Sequence, residues 1–338
     1  MIPYARKGLL VWACLTIFTS CQKTTSVDNA FYYWSSDFQL SEQKNNLVRH
    51  VSNKLYVRFF DIKWNRKSNT AYPEAKIRFK QLVDNLRITP VIYITNETFA
   101  KTSLSGTDSL ARNSYQLIKN IAGNHHIIFK AIQIDCDWTE TTRDKYFRFL
   151  SAIKSLSKKK LEVTIRLHQV KYPGRTGIPP ADIGILMFYN MGKLSADSEA
   201  RNSIYNEEDA QKYVAYLSAY KLPLDVALPV FSWVIHIRNN KIIQIYSKLM
   251  PGLLEKQSNF KAINEHVFLA ETSFFTKGIY FKKGDVLKSE SVSVDQLKTA
   301  SKQLVSNLST QKHRTIIYYE LSAVSFSEQQ LQEISSVF

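Results

Sequence analysis

Two aspartates one residue apart, Asp135 and Asp137, close an apolar run in the stretch AIQIDCDWTE (131–140). Side chains alternate along a strand, so Gln133, Asp135 and Asp137 share one face, and Ile132, Ile134 and Cys136 share the other. Paired carboxylates at a strand end suit general acid–base chemistry, in which each group tunes the other's proton affinity, or they balance buried positive charge. A buried carboxylate with no cation beside it takes up a proton. Asp135 therefore requires a neighbour such as Arg58 or Arg166. Asp137, nearer the strand end, is better placed to meet a ligand.

The surrounding elements must position this pair. From residue 30 onward the hydrophobic period changes repeatedly. Strand-like runs at 30–36, 55–61, 88–95, 131–137, 161–168, 182–190, 224–233 and 314–322 alternate mostly with helical patterns. Ser41 is expected to cap a helix carrying Leu47, Val48 and Val51, and Pro73 to open one carrying Ile77, Leu82 and Leu86. Thr141-x-x-Asp144 reads as a capping box ahead of Phe147, Leu150 and Ile153. Asn206 and Ser293 open two further helices.

Eight such strands predict an α/β fold, a (β/α)8 TIM barrel over 30–338, with an insertion of about 236–290 between strands seven and eight. A doubly wound open sheet is the runner-up, but no Gly-rich dinucleotide loop follows the first strand. In a barrel the functional groups gather at the C-terminal rim. Parity then turns Arg58, Arg166, His168, Met187, Tyr189 and Glu320 inward with the aspartates.

The N-terminal 20 residues read as an export signal: Arg6 and Lys7, then the apolar LLVWACLTIF, then Thr19-Ser20 before Cys21. Ten apolar residues are too few to span a bilayer. The Thr-Ser-Cys ending resembles the lipobox of bacterial lipoproteins. That implies acylation of Cys21, a polar tether over 21–29, and a chain exported and lipid-anchored at the cell envelope membrane. With Cys14 removed and Cys21 lipidated, only Cys136 remains, so no intrachain disulfide is expected.

The formal net charge of +16 favours anionic partners in general. KSLSKKK (154–160) is the one tight basic cluster and reads as a solvated helix end. No nucleic-acid motif accompanies it, so no nucleic-acid partner is expected. There is no His-Glu-x-x-His, no cysteine ligand set, no Gly-x-Ser-x-Gly and no phosphate-cradling loop, so neither metal nor cofactor is implied. His125-His126 precede the fourth strand, at the face opposite the rim.

Three segments carry a family likeness. IDCDW (134–138) resembles the fourth-strand motif of family 18 glycoside hydrolases, the chitinase-like barrels. LMFYN (186–190) resembles that family's sixth-strand Met-x-Tyr-Asp/Asn signature, and ALPVFSW (227–233) its seventh-strand segment. The chain also resembles bacterial barrel lipoproteins that end the fourth strand in Asp-x-Asp. In register, Asp135 and Asp137 fall on the last two aspartates of the family motif. The family's proton-donating glutamate falls on Thr139, which cannot be that acid.

Glycoside cleavage needs a donor acid and usually a second carboxylate. Asp137 with Glu320, or Asp137 with Glu140, would make such a pair, with Asp61 and Glu97 in reserve. The resemblance implies that Tyr189 and Asn190 position a sugar. Arg166 and His168 are further binding candidates. Trp138 and Trp233, like Trp34 and Trp64, lie near strand ends where rings stack on sugars. The expected partner is a glycan or polysaccharide. Three readings follow: a glycan-cleaving barrel using rim carboxylates, a non-catalytic carbohydrate-binding or scaffold barrel, and a surface protein holding anionic glycans or lipids by charge.

Overall fold

In the computed structural model, which describes residues 25–247 and 258–338, eight parallel strands close into a ring. They are Ser26–Tyr33, Lys54–Asn65, Arg87–Ile94, Ala131–Asp135, Lys160–Ile165, Ile183–Met187, Leu224–Pro229 and His313–Tyr319, the last pairing back on the first. They are rich in β-branched and aromatic residues, and their central positions are buried, as parallel strands covered on both faces require. The barrel's N-terminal strand ends form its bottom, and the C-terminal ends form its mouth.

Outside the ring, helices begin at side chains that satisfy their free N–H groups. Ser41, Asn206 and Ser293 accept from the third residue beyond, opening Glu42–Val51, Glu207–Val214 and Val294–Asn307. Ser293 and Gln296 complete a reciprocal box, as do Ser327 and Gln330 ahead of Glu328–Ser335. The helices Gly106–Asn124 and Arg143–Ser157 pack beside each other, burying Leu110, Ile118, Phe149 and Ile153.

Several local expectations fail. No helix starts at Pro73. The second barrel strand is 12 residues long and folds back at Asn65 into an antiparallel strand, Thr70–Glu74. Asn65 accepts from the N–H groups of Lys67 and Ser68, and Asn69 takes a left-handed conformation, so turn chemistry overrides the helical spacing. Pro73 is tolerated because that strand lies at the edge of the sheet. Leu82, assigned to a buried helix face, is exposed. Thr141 is not a cap: Thr142 precedes the Arg143 helix without a side-chain cap bond, and Asp144 pairs with Arg143. The first strand starts at Ser26, inside the stretch expected to be tether. Cys21 and the signal-like segment lie outside the described residues.

Between barrel strands seven and eight the chain builds a second, antiparallel sheet of five strands, from Trp233–Arg238 to Val286–Glu290. Its own small core holds Phe260, Phe268, Phe281 and Leu287. A buried His236–Asp285–Arg238 set ties it together: His236 Nε2 lies 2.8 Å from Asp285, and Arg238 donates twice to that carboxylate at 2.7 Å. The sheet is fastened to the barrel by Glu290, which accepts from the Ser203 backbone N–H and from Trp233 Nε1.

Candidate functional site

The interior of the ring changes from bottom to mouth. Low in the barrel, Lys160 reaches Glu162 at 3.3 Å, and Tyr32 donates to Gln133 at 2.8 Å. At the mouth the inward side chains stop filling the space, and a pocket of about 290 Å³ opens. Arg58, Asp61, Asp135, Asp137 and Arg166 supply its charge, and Trp34, Tyr93, Tyr189 and Tyr319 its rings. An adjoining lobe of about 400 Å³ shares Asp137, Arg166, Tyr189 and Asn190 and adds His168 and Tyr213. Together they have the size of a small-ligand site.

Arg166 organises the charges. It follows the fifth strand and leads into a short helix, Leu167–Lys171. Its Nε donates to Asp137 Oδ1 and its Nη2 to Asp137 Oδ2 at 3.1 Å, a two-pronged pair. Asp137 is half-exposed at the mouth. Asp135, one layer deeper, is fully buried and accepts from Thr164 Oγ1 at 2.7 Å. Burial pushes its carboxyl up to about 6, against the opposing pull of Arg166 and Thr164. The two aspartates thus differ in kind: Asp137 meets Arg166 at the half-exposed mouth, whereas burial raises the proton affinity of Asp135.

On the opposite wall, Arg58 stands over the Trp34 ring at 5.6 Å, and its Nη1 is 3.5 Å from Asp61. Asp61 is also raised by burial. A bulge at Phe59 explains its orientation. The register with the third strand slips between Arg58 and Phe60, so Asp61 and Lys63, rather than Phe60 and Ile62, turn inward. Burial pushes Tyr93 up to about 12, with Asp137 adding to the effect. Tyr189 and Tyr319 stack at 5.2 Å and 13°. Among the pocket's lining atoms, Tyr189 Oη, Arg58 Nε and Asp61 Oδ1 have no hydrogen-bond partner and leave polar capacity unused there.

The expected residues divide cleanly. Asp135, Asp137, Arg166 and Tyr189 come together as parity required, Asn190, expected from the resemblance alone, lies beside them, and His168 joins from the short helix rather than from a strand, its imidazole lowered by burial. Asn190 tolerates the left-handed conformation that its turn imposes.

The others are elsewhere. Glu140 is exposed and pairs with Arg175 at 3.2 Å. Glu320 follows the last strand out of register with the pocket. Tyr319 takes the inward position, while the Glu320 charge acts on Lys44 and Tyr33. Glu97 pairs with Arg66. Trp233 opens the second sheet and donates to Glu290 at 2.9 Å. Thr139 belongs to the turn that starts the Arg143 helix: its N–H donates to Thr142 Oγ1, and its hydroxyl lies against Thr141 and Thr142.

Trp138 is core, not rim. It is 1% exposed, stacks on Tyr146 at 4.9 Å, and donates to Thr176 O at 2.9 Å. Trp138→Ala is expected to destabilise the fold by about 3–5 kcal/mol, read as a lower denaturant midpoint. A change below about 1 kcal/mol would place the ring at a solvated surface instead.

Sequence reasoning passed over Tyr93 and Tyr319. Parity from Val91, paired to Gln133, would have found Tyr93. Among the described residues no cluster of three or more His, Cys, Asp or Glu is arranged to hold a metal ion.

No family model matches the chain, and no curated protein matches it. Solved structures do. The spore cortex-lytic enzyme SleL of Bacillus megaterium aligns over 92% of this chain and 74% of its own, at 10% identity and TM-score 0.55. A family 18 chitinase of Cycas revoluta, solved as a mutant with (GlcNAc)4, covers 91% of this chain and 98% of its own at 12% identity and TM-score 0.53. A chitinase of Rhizomucor miehei covers 92% and 99% at 10% identity and TM-score 0.53. At such identities the likeness is one of fold alone: the chain is a TIM barrel similar in fold to these enzymes.

Proposed function

We propose that the barrel mouth binds a glycan without cleaving it by the family's route, and that acylated Cys21 holds the protein at the cell envelope. The observation that carries the binding is a single pocket combining aromatic rings with clamped and unmet polar groups. Trp34, Tyr189 and Tyr319 stand beside Arg58, Asp61, Asp137 and Arg166. Sugar recognition needs both kinds of surface: a ring face for the C–H side of a pyranose and fixed polar groups for its hydroxyls. The absence of family chemistry rests on Thr139, bound into a helix-starting turn, and on Asp137, whose carboxylate is engaged by Arg166. Glu140, the neighbouring acid, faces Arg175 instead.

A second reading, slow hydrolysis, draws on one arrangement: Asp135, whose carboxyl burial pushes up to about 6, shares the pocket with Asp61. There Asp135 donates the proton and Asp61 supplies the second carboxylate.

One experiment separates the readings. The mature protein is titrated calorimetrically with chitin- and peptidoglycan-derived oligosaccharides while reducing ends are measured. Saturable binding without product is expected. Sustained release that disappears in Asp135→Asn assigns hydrolysis, and no saturable binding to any glycan overturns both. Incorporation of labelled palmitate, lost in Cys21→Ser, tests the anchor.

A further inference from the structure

The bottom of the barrel carries a surface that glycan binding does not use. Among the residues there, Arg87, Lys130, Lys158, Lys159, Lys221 and Lys312 stand at or just before the N-terminal ends of the third, fourth, fifth, seventh and eighth strands. All six are exposed, and none forms an ion pair with a described residue. Near the mouth Lys63 pairs with Glu74, Arg66 with Glu97 and Arg175 with Glu140, while Lys67, Lys101 and Lys193 are exposed there without an ion pair to a described residue. The acidic groups at the bottom are Asp28 and Asp84, both exposed, Asp182, already held by Lys154 at 2.6 Å, and the buried Glu162 and Asp225. The KSLSKKK cluster is thus part of a wider basic face.

Two large apolar side chains project from the same region. Ile128 is 89% exposed and Leu82 81% exposed. Their segments are neighbours, since Phe79 packs on His125 at 4.5 Å. Lys159 lies over Phe129 at 5.8 Å, which joins the apolar segment to the basic one. Lysines around protruding aliphatic groups match the chemistry of an anionic lipid interface.

The chain's path points to the same occupant. Ser26, the first residue of the first strand, donates its backbone N–H to Lys312 O at 2.9 Å, so the described chain begins at this face. Cys21 is five residues earlier, within about 18 Å of Ser26 even if fully extended.

We propose that the basic bottom face docks on the anionic phospholipid surface to which Cys21 is tethered, holding the barrel mouth outward, away from the membrane. The orientation rests on the anchoring reading, whereas the docking is tested without it. The full chain carrying Cys21→Ser is sedimented with vesicles of phosphatidylcholine, with and without phosphatidylglycerol. Binding to the anionic vesicles is expected. It should fall at least about tenfold in Lys158→Glu/Lys159→Glu/Lys221→Glu and stay unchanged in the mouth-side control Lys67→Glu/Lys101→Glu/Lys193→Glu. Circular dichroism establishes that both variants are folded.

Equal sedimentation with both vesicle types overturns the proposal, as does an equal loss in the two variants. Retention on polygalacturonate without vesicle binding also overturns it and assigns the face to an acidic polymer. Absence of palmitate labelling in the chain that keeps Cys21, with vesicle binding intact, overturns only the anchor.

Discussion

Arg166→Met is expected to weaken glycan binding by more than about tenfold, the loss associated with one charge-assisted hydrogen-bonded group. It should also cost about 2 kcal/mol of stability at neutral pH. Arg166 pairs with Asp137 and acts through its charge on the buried Asp135, which sets that figure. Removing one partner of a fully buried pair costs about 3–5 kcal/mol. Asp137, however, is half-exposed and returns to water cheaply, and Asp135 can take up a proton instead of remaining charged. The cost should therefore shrink as pH falls below about 6, where Asp135 is already neutral in the wild type. Asp137→Asn should cost about 1 kcal/mol or less. Titration calorimetry and urea unfolding of both variants measure these effects. Equal destabilisation by the two substitutions would mean that Arg166 does not act on Asp135.

Asp135→Asn tests the deeper carboxyl through pH. The ordinary aspartate value of 3.8 describes the unfolded chain, and burial raises the folded value to about 6. The folded state therefore holds this proton more tightly. Its contribution to stability is complete below 3.8 and is lost as pH rises through 6, a change of about 3 kcal/mol. Asparagine does not ionise. Relative to the wild type, the variant should then gain about 3 kcal/mol between pH 3.5 and pH 7.5, as read from unfolding curves at both ends. A pH-independent difference would show that Asp135 keeps its ordinary proton affinity and is not buried in the charged state.

Much of this arrangement was legible in the sequence because strand parity is a strict rule. Gln133, Asp135 and Asp137 could face inward only together, and their neighbours Ile134 and Cys136 could only pack outward. The same rule placed Arg58, Arg166 and Tyr189 correctly. It failed where the backbone broke the alternation. The bulge at Phe59 turned Asp61 and Lys63 into the pocket, and nothing in LYVRFFDIK announces an extra residue.

At the last strand, Tyr318 Oη donates to Leu331 O on the helix side, which commits Tyr319 to the interior and takes Glu320 out of register. Trp138 was misplaced for a different reason. An indole near a strand end reads equally well as rim or as core, and the Thr176 carbonyl that satisfies its N–H is 38 residues away. Ring count and proximity to a strand end cannot resolve such long-range pairing. The Pro73 segment shows the same limit locally, since an Asn-led turn outweighed apolar spacing that suited a helix.

The account's central claim concerns where a glycan sits, so the most direct measurement is a crystal structure of the protein with a bound chitin or peptidoglycan oligosaccharide. The expected result is an intact glycan in the mouth, with a pyranose ring against Trp34 or Tyr319 and a polar group within hydrogen-bond distance of Arg166 or Tyr189. A glycan bound elsewhere on the barrel, or a mouth holding cleaved product with its new reducing end at Asp135, would contradict it.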